Sequence, residues 1–188
     1  FSGALAEKSI EICGQFLYRS YMDNNDSHAR RKMHIAACLA GLAFNSASLG
    51  LNHGMAHQLG AVFHIPHGRA NAMLLPLIIE YNSSIHKGSH SRQIYDPCVR
   101  KYCNIAHLLG LHGTNEIMTI HSLANYMRFT AEEMCIPMHL SEILSCTKEE
   151  YESHLDEMAV AALNDGCTAT NPRIPTKEEV IAIYKKLW

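Results

Sequence analysis

Four histidines lie within residues 52–69 of this sequence, and they are the side chains best suited to chemistry. His53 and His57 are four residues apart, so on a helix both imidazoles project from one face about one turn apart. Pro66 predicts a turn that ends this helix and allows His67 to fold back toward it. Neutral imidazole is the commonest protein ligand for divalent iron, zinc and nickel. The segment is therefore a candidate metal or catalytic centre.

The spacing excludes one familiar metal motif. Gly54 follows His53, whereas a zinc peptidase of the His-Glu-x-x-His type has glutamate there. A catalytic metal site has three or more protein ligands, and no downstream carboxylate stands at ligand spacing. On spacing alone, metal ligation and ordinary structural placement of these histidines both stay open.

Two segments carry a resemblance to a known family. The first is Asn52-His-Gly-Met-Ala-His-Gln-Leu-Gly followed by His64-Ile-Pro-His-Gly-Arg-Ala-Asn-Ala-Met-Leu-Leu-Pro, and the second is Asp165-Gly-Cys-Thr-Ala-Thr-Asn-Pro-Arg. Both closely resemble the iron-containing (group III) alcohol dehydrogenases, in the same order and separation over essentially the whole chain. The resemblance implies that residues 1–188 are the carboxyl-terminal helical metal-binding domain of a longer enzyme. It implies an amino-terminal α/β nucleotide-binding domain outside this chain.

The resemblance also implies roles for the histidines. His53 and His67 match two of the family's four metal ligands, usually one aspartate and three histidines, and the other two are expected upstream of Phe1. His57 matches a histidine that lies beside the nicotinamide and relays a proton, so it is both the catalytic and the cofactor-binding candidate. The chain is thus expected to hold half of a metal site.

Further positions follow from the same resemblance. Phe44 and Cys167 are expected to line the substrate pocket, and residues 171–173 to hold a loop over the site. Ala169 stands where the family usually has glycine, so a positive φ there would strain the backbone by about 1 kcal/mol.

The implied activity is hydride transfer between a small alcohol or aldehyde and NAD or NADP, with Fe²⁺, or alternatively Zn²⁺, polarising the substrate oxygen. The full-length protein is expected to be a homodimer, and this chain alone to be inactive. Two alternatives remain: a zinc polyol dehydrogenase or dehydroquinate-synthase-like relative, and a non-catalytic helical domain that binds a metal or a partner.

The composition of the chain excludes some classes of function. Hydrophobic residues make up 47% and charged residues 18%, as in globular proteins, and the net charge of −2 gives no case for nucleic-acid or membrane binding. The seven cysteines are an odd number at irregular spacing, which predicts reduced, mostly buried thiols in a cytoplasmic protein. Because the first residue is Phe1 and not methionine, the chain is expected to begin inside a longer protein. No signal-peptide pattern is visible at its start.

Helical periodicity dominates the whole sequence, and no strand pattern competes with it. We predict an all-α bundle of seven to nine helices in one domain. Residues 35–44 are apolar and rich in alanine, which predicts a position at the centre of the bundle. His28 and His34 lie beside basic residues and are expected at the surface, as are His86 and His90 in a predicted loop over residues 82–92.

Overall fold

The computed structural model describes residues 1–83 and 97–188, and in these ranges it has nine α-helices and no strand. The helices are α1 (Ser2–Met22), α2 (Ser27–Ala47), α3 (Leu51–Phe63), α4 (His67–Asn82), α5 (Pro97–Leu108), α6 (Glu116–Glu133), α7 (Lys148–Ser153), α8 (Leu155–Asn164) and α9 (Lys177–Lys185). The predicted all-α fold is confirmed. Most of the predicted loop, with His86 and His90, lies outside the described residues.

Short polar side chains before helical patterns predict four helix starts, at Asp26 or Ser27, at Thr114 or Asn115, at Thr147 and at Thr176. Asp26, Asn115 and Thr147 each accept a hydrogen bond from a backbone N–H in the following turn. Thr176 and Glu179 form a complete capping box at the start of α9. These bonds satisfy N–H groups that have no partner within their own helix, and they fix where each helix starts.

The α1–α2 hairpin lies at the edge of the bundle. The buried residues of α2 are Ala29, Ala36 and Ala43. They form one stripe that packs mainly on α1, where the Ser9 hydroxyl donates a 2.8 Å hydrogen bond to the Ala36 carbonyl. Ile35 and Leu42 are 43% and 52% exposed. The predicted central position of this segment is therefore wrong, because alanines spaced seven apart face only one neighbouring helix. His28 and His34 are exposed, as predicted.

The main core lies where α3, α4, α8 and α9 meet. Tyr151 and Tyr184 are fully buried, and each places its hydroxyl on a backbone carbonyl. Tyr184 donates to the Met55 carbonyl of α3 at 2.9 Å, and Tyr151 donates to the Tyr184 carbonyl at 2.8 Å. A buried hydroxyl without such a partner would cost free energy, so these bonds fix α9 in register against α3.

Several boundaries differ from those predicted. The sequence predicts one helix from Thr147 to about Leu163, but the structure divides it at His154 into α7 and α8. The sequence predicts a helix over residues 69–81 that is bent or restarted at Pro76, whereas α4 runs without a restart from His67 to Asn82. The helix expected from Arg69 begins at residue 67 instead, because Pro66 occupies its N-cap position.

All seven cysteines are free thiols, as predicted, but most of them are not buried. Cys103 is the buried one, Cys38 and Cys135 are exposed, and the other four are partly exposed. The expectation of mostly buried thiols is therefore wrong. Free cysteine is among the most buried residue types, but Cys38 lies on the exposed face of α2.

No single helix in residues 1–83 or 97–188 has the length and apolar composition to cross a membrane. Helices α2 and α3 are long and apolar enough only when taken together, and the chain bends by 107° between them. The bend lies at residues 48–50, where Ser48 adopts a φ of 60°. It turns α3 away from the hairpin and into the core.

The loop after α8 is fastened to the start of α3 through Asn171. Its Oδ1 accepts from the Leu51 backbone N–H at 3.1 Å, and its Nδ2 donates to Asn82 Oδ1 at 2.8 Å and to the Arg173 carbonyl at 2.7 Å. The Arg173 guanidinium lies 4.0 Å from the centre of the Tyr81 ring and donates to the Tyr81 carbonyl at 3.0 Å. Residues 171–173 thus join the loop to both α3 and α4.

Replacing Asn171 by alanine is expected to lower the free energy of unfolding by about 1–3 kcal/mol, because the partners of its amide are left unsatisfied. Urea titration measures the change. Asn24→Ala in the exposed turn after α1 is the matched control and should change stability little. Equal stability of the two variants would contradict the role assigned to Asn171.

Candidate metal centre

Helix α3 carries the first two candidate residues. His53 and His57 lie one turn apart on it, with ring centres separated by 6.2 Å. Leu51, Met55 and Leu59 are fully buried on the opposite side of the helix and anchor it in the core. The histidine face is therefore presented by a rigid element, as the sequence predicts.

The turn between α3 and α4 brings His67 to the same place. His64 ends α3 in the left-handed conformation, with φ of 54°, and the Ile65 N–H bonds back to the Leu59 carbonyl at 3.3 Å. The chain then reverses at Pro66, and α4 begins with His67. The His67 ring centre lies 5.3 Å from that of His53 and 5.4 Å from that of His57. Three of the four histidines in the segment therefore converge, and the exposed His64 is not among them.

Two asparagines support His67. Asn71, one turn further along α4, places its Nδ2 3.2 Å from His67 Nε2 and 3.0 Å from the His67 carbonyl oxygen. Asn52 in turn donates from its own Nδ2 to Asn71 Oδ1 at 2.7 Å. The remaining oxygen of Asn52, Oδ1, is buried and has no hydrogen-bond partner. A buried acceptor without a partner in the protein is uncommon, and a bound water or ion would satisfy it.

Asp165 contacts the histidine cluster from the loop after α8. Its Oδ2 lies 2.7 Å from His57 Nδ1, and its Oδ1 accepts from the Cys167 backbone N–H at 2.8 Å. Asp165 belongs to the second segment that resembles the family, but no role was predicted for it. The available signal was a carboxylate two residues before Cys167. Asn71 was missed as well, although its spacing of four from His67 on a helix indicated a contact.

Burial and neighbouring groups shift the pKa values of three residues at this site. Burial, together with the nearby His67 and His57, lowers the pKa of His53, so its ring stays neutral and able to bind a metal at neutral pH. Burial acts to raise the pKa of Asp165, but hydrogen bonds from His57 and Cys167 outweigh it, and the net pKa lies below its usual value. Burial, then contact with Asp165, raises the pKa of the Cys167 thiol. Cys167 is thus a neutral thiol.

The two residues predicted to line a substrate pocket lie on different elements. Cys167 comes close to His57 and Asp165, since one ligand-type atom from each of the three lies within 4.8 Å of the others. Phe44 lies in the last turns of α2 and is 48% exposed. Its pocket role stays a prediction. Ala169 is in a short 3₁₀ turn, Thr168–Thr170, and does not have a positive φ, so the expected strain is absent.

The three histidines could supply part of the coordination shell of a divalent metal ion. Two imidazoles bound to one ion through ~2.1 Å bonds place their ring centres about 5 Å apart, which matches the His53 and His67 rings. The 5.4 Å between the ring centres of His57 and His67 admits His57 as well, and a bond donated from its Nδ1 to Asp165 leaves Nε2 free for a metal, whereas its ring centre lies 6.2 Å from that of His53. The choice of His53 and His67 as the ligand pair stays a prediction from the family resemblance.

The sequence of residues 1–188 matches the family model described as "Fe-containing alcohol dehydrogenase family, C-terminal". The chain belongs to this family. A relative from Clostridium saccharobutylicum, named NADPH-dependent butanol dehydrogenase, is 37% identical over 185 residues, covering 98% of this chain and 44% of that protein. The chain spans less than half the length of that dehydrogenase.

Solved structures of family members have the same fold. A 1,3-propanediol oxidoreductase superimposes with a TM-score of 0.86 at 31% identity, over 100% of this chain and 45% of its own. An iron-containing alcohol dehydrogenase from Thermococcus thioreducens superimposes with a TM-score of 0.80 at 33% identity, over 100% of this chain and 44% of its own. The helical fold and the order of its elements are therefore those of the family.

Proposed function

We propose that the full-length protein is an iron-dependent alcohol dehydrogenase that transfers hydride between a small alcohol or aldehyde and NAD or NADP. The observation that carries this proposal is the convergence of His53, His57 and His67 in a chain of this family, with Asp165 bound to His57. The names of the relatives add support, since one is a butanol dehydrogenase and another a propanediol oxidoreductase.

Each residue of the site has a separate proposed role. His53 and His67 hold the metal, and Asn71 stabilises the first turn of α4 by donating to the His67 carbonyl oxygen. Bound iron would act as a Lewis acid on the substrate oxygen, and the nicotinamide cofactor would carry the hydride. His57 takes the hydroxyl proton during oxidation and returns it during reduction. Cys167 and Phe44 form part of the wall around the substrate.

The rest of the enzyme lies outside this chain. A dinucleotide-binding domain and the remaining metal ligands, an aspartate and a histidine, are proposed for the other half of the protein. We place the full-length enzyme in the cytoplasm as a homodimer, without a nucleic-acid or membrane partner. Free thiols and a near-neutral net charge support this placement.

One experiment tests the proposed function directly. Full-length protein is loaded anaerobically with ferrous iron, its metal content is measured by elemental analysis, and NADH- and NADPH-dependent aldehyde reduction is assayed. Stoichiometric iron with activity supports the proposal. Preferred zinc binding with polyol oxidation would assign the protein to the zinc polyol enzymes instead. Absence of both metal and activity would contradict any catalytic role.

The 188-residue chain by itself is expected to fold as a helical domain, bind iron weakly and show no turnover. Two histidine ligands are fewer than a tight catalytic site requires, and no cofactor domain is present. Circular dichroism checks folding, and the dehydrogenase assay checks activity against the full-length protein as control. Alcohol oxidation by the short chain would overturn this expectation.

A further inference from the structure

Asp165 stands at a junction between two parts of the fold. It directly follows α8, where its backbone turns to the extended conformation, with φ of −67° and ψ of 132°. Its side chain is 17% exposed, and both carboxylate oxygens have partners. One oxygen contacts His57 Nδ1 and the other accepts from the Cys167 N–H, so the carboxylate joins α3 to the loop across 108 residues of sequence.

The carboxylate is held firmly in this place. The Thr168 N–H donates to the Asp165 carbonyl at 2.9 Å, and the buried Thr168 hydroxyl donates to the Ala162 carbonyl at 2.6 Å. Gly54 allows α3 to approach this turn, because a Cβ there would lie 3.5 Å from Asp165 Cβ and 2.1 Å from Thr168 Oγ1. The carboxylate therefore cannot swing away from His57 without breaking other bonds.

The contact decides which nitrogen of His57 carries the proton. An ionised carboxylate only accepts hydrogen bonds, so His57 must donate from Nδ1. In the neutral ring the other nitrogen, Nε2, then keeps its lone pair. The ring is also stacked on His67 at an interplanar angle of 22°, which together with the hydrogen bond restricts its rotation.

We propose that Asp165 is a positioning residue that holds His57 in the Nδ1–H tautomer, with the ring oriented for proton transfer at Nε2. The role in proton transfer rests on the proposed dehydrogenase function, whereas the tautomer is a property of the chain itself. The two parts can therefore be tested separately.

The tautomer is read by ¹⁵N NMR of histidine-labelled full-length protein before iron is added, with the His57 signals assigned from their loss in His57→Gln. The wild-type protein should show a proton on Nδ1 and none on Nε2. In Asp165→Asn, Oδ1 can still accept from the Cys167 N–H, so the amide nitrogen faces His57 and donates to it. The proton should move to Nε2. A wild-type Nε2–H tautomer, or no change in the variant, would overturn the proposal.

Kinetics of the iron-loaded full-length enzyme tests the consequence. Asp165→Asn should lower kcat on the order of 10²–10⁴-fold, the range of general acid–base contributions, with KM within a few-fold of wild type and iron content unchanged. Glu157→Gln, which removes an exposed negative charge from α8, is the matched control and should leave kcat unaltered. Iron loss in Asp165→Asn would mean that Asp165 binds metal with His57 and Cys167 instead. An inactive wild-type enzyme with the Nδ1–H tautomer would refute the dehydrogenase function and leave the tautomer assignment standing.

Discussion

His53→Ala and His67→Ala are each expected to abolish stoichiometric iron binding by the full-length protein, and with it dehydrogenase activity. Each substitution removes one imidazole of a pair whose ring centres lie 5.3 Å apart. The ligands that remain cannot compensate, because a catalytic site with three or four protein ligands becomes weak when one is lost. Elemental analysis after gel filtration measures iron, and NAD(P)H-dependent aldehyde reduction measures activity.

His57→Ala separates proton transfer from metal binding. The proposed assignment gives His57 the proton and not the metal, so iron content should stay near that of wild type while kcat falls on the order of 10²-fold or more. His64→Asn is the control from the same segment: it removes the fourth histidine, which is exposed, and asparagine tolerates the left-handed backbone found there. Equal iron loss in His53→Ala, His57→Ala and His67→Ala would reassign His57 as a third ligand.

Features encoded by local sequence could be predicted. Asp26, Asn115 and Thr176 begin helices where their short polar side chains indicated, because an N-cap depends on a few adjacent residues. The spacing of His53 and His57 placed both rings on one face of α3 for the same reason. Pro66 likewise indicated the reversal that returns the chain toward this face.

Contacts between distant segments could not be predicted from local patterns, and only the family resemblance placed Cys167 near the histidines. The bond from Asp165 to His57 spans 108 residues, and neither residue's neighbours indicate that their elements meet. The same limit explains the error for α2, whose composition is that of a core helix although Leu42 is 52% exposed. Periodicity gives the apolar face of a helix but not the element that covers it.

Gly54→Ala is expected to destabilise the protein and to loosen the candidate metal centre together. An added Cβ would lie 2.1 Å from Thr168 Oγ1 and 3.1 Å from the Ala162 carbonyl oxygen, and these two atoms are hydrogen-bonded to each other. Relieving the clash moves the loop that holds Asp165 away from α3. Overpacking of this kind costs about 1–3 kcal/mol, which outweighs the gain of ~1 kcal/mol from replacing glycine in a helix. Urea unfolding measures stability, and kcat should fall because His57 loses its partner.

Gly41→Ala in α2 is the matched control for this substitution. No atom lies within 4 Å of the Cβ it would add, so only the helix preference acts, and stability should rise by up to ~1 kcal/mol. The two glycine substitutions are thus expected to differ in sign. Adding Thr168→Ala to Gly54→Ala removes the clashing hydroxyl, so the pair should destabilise less than the sum of the single changes. Additive effects, or a stabilising Gly54→Ala, would show that the close approach of α3 to this loop does not position Asp165.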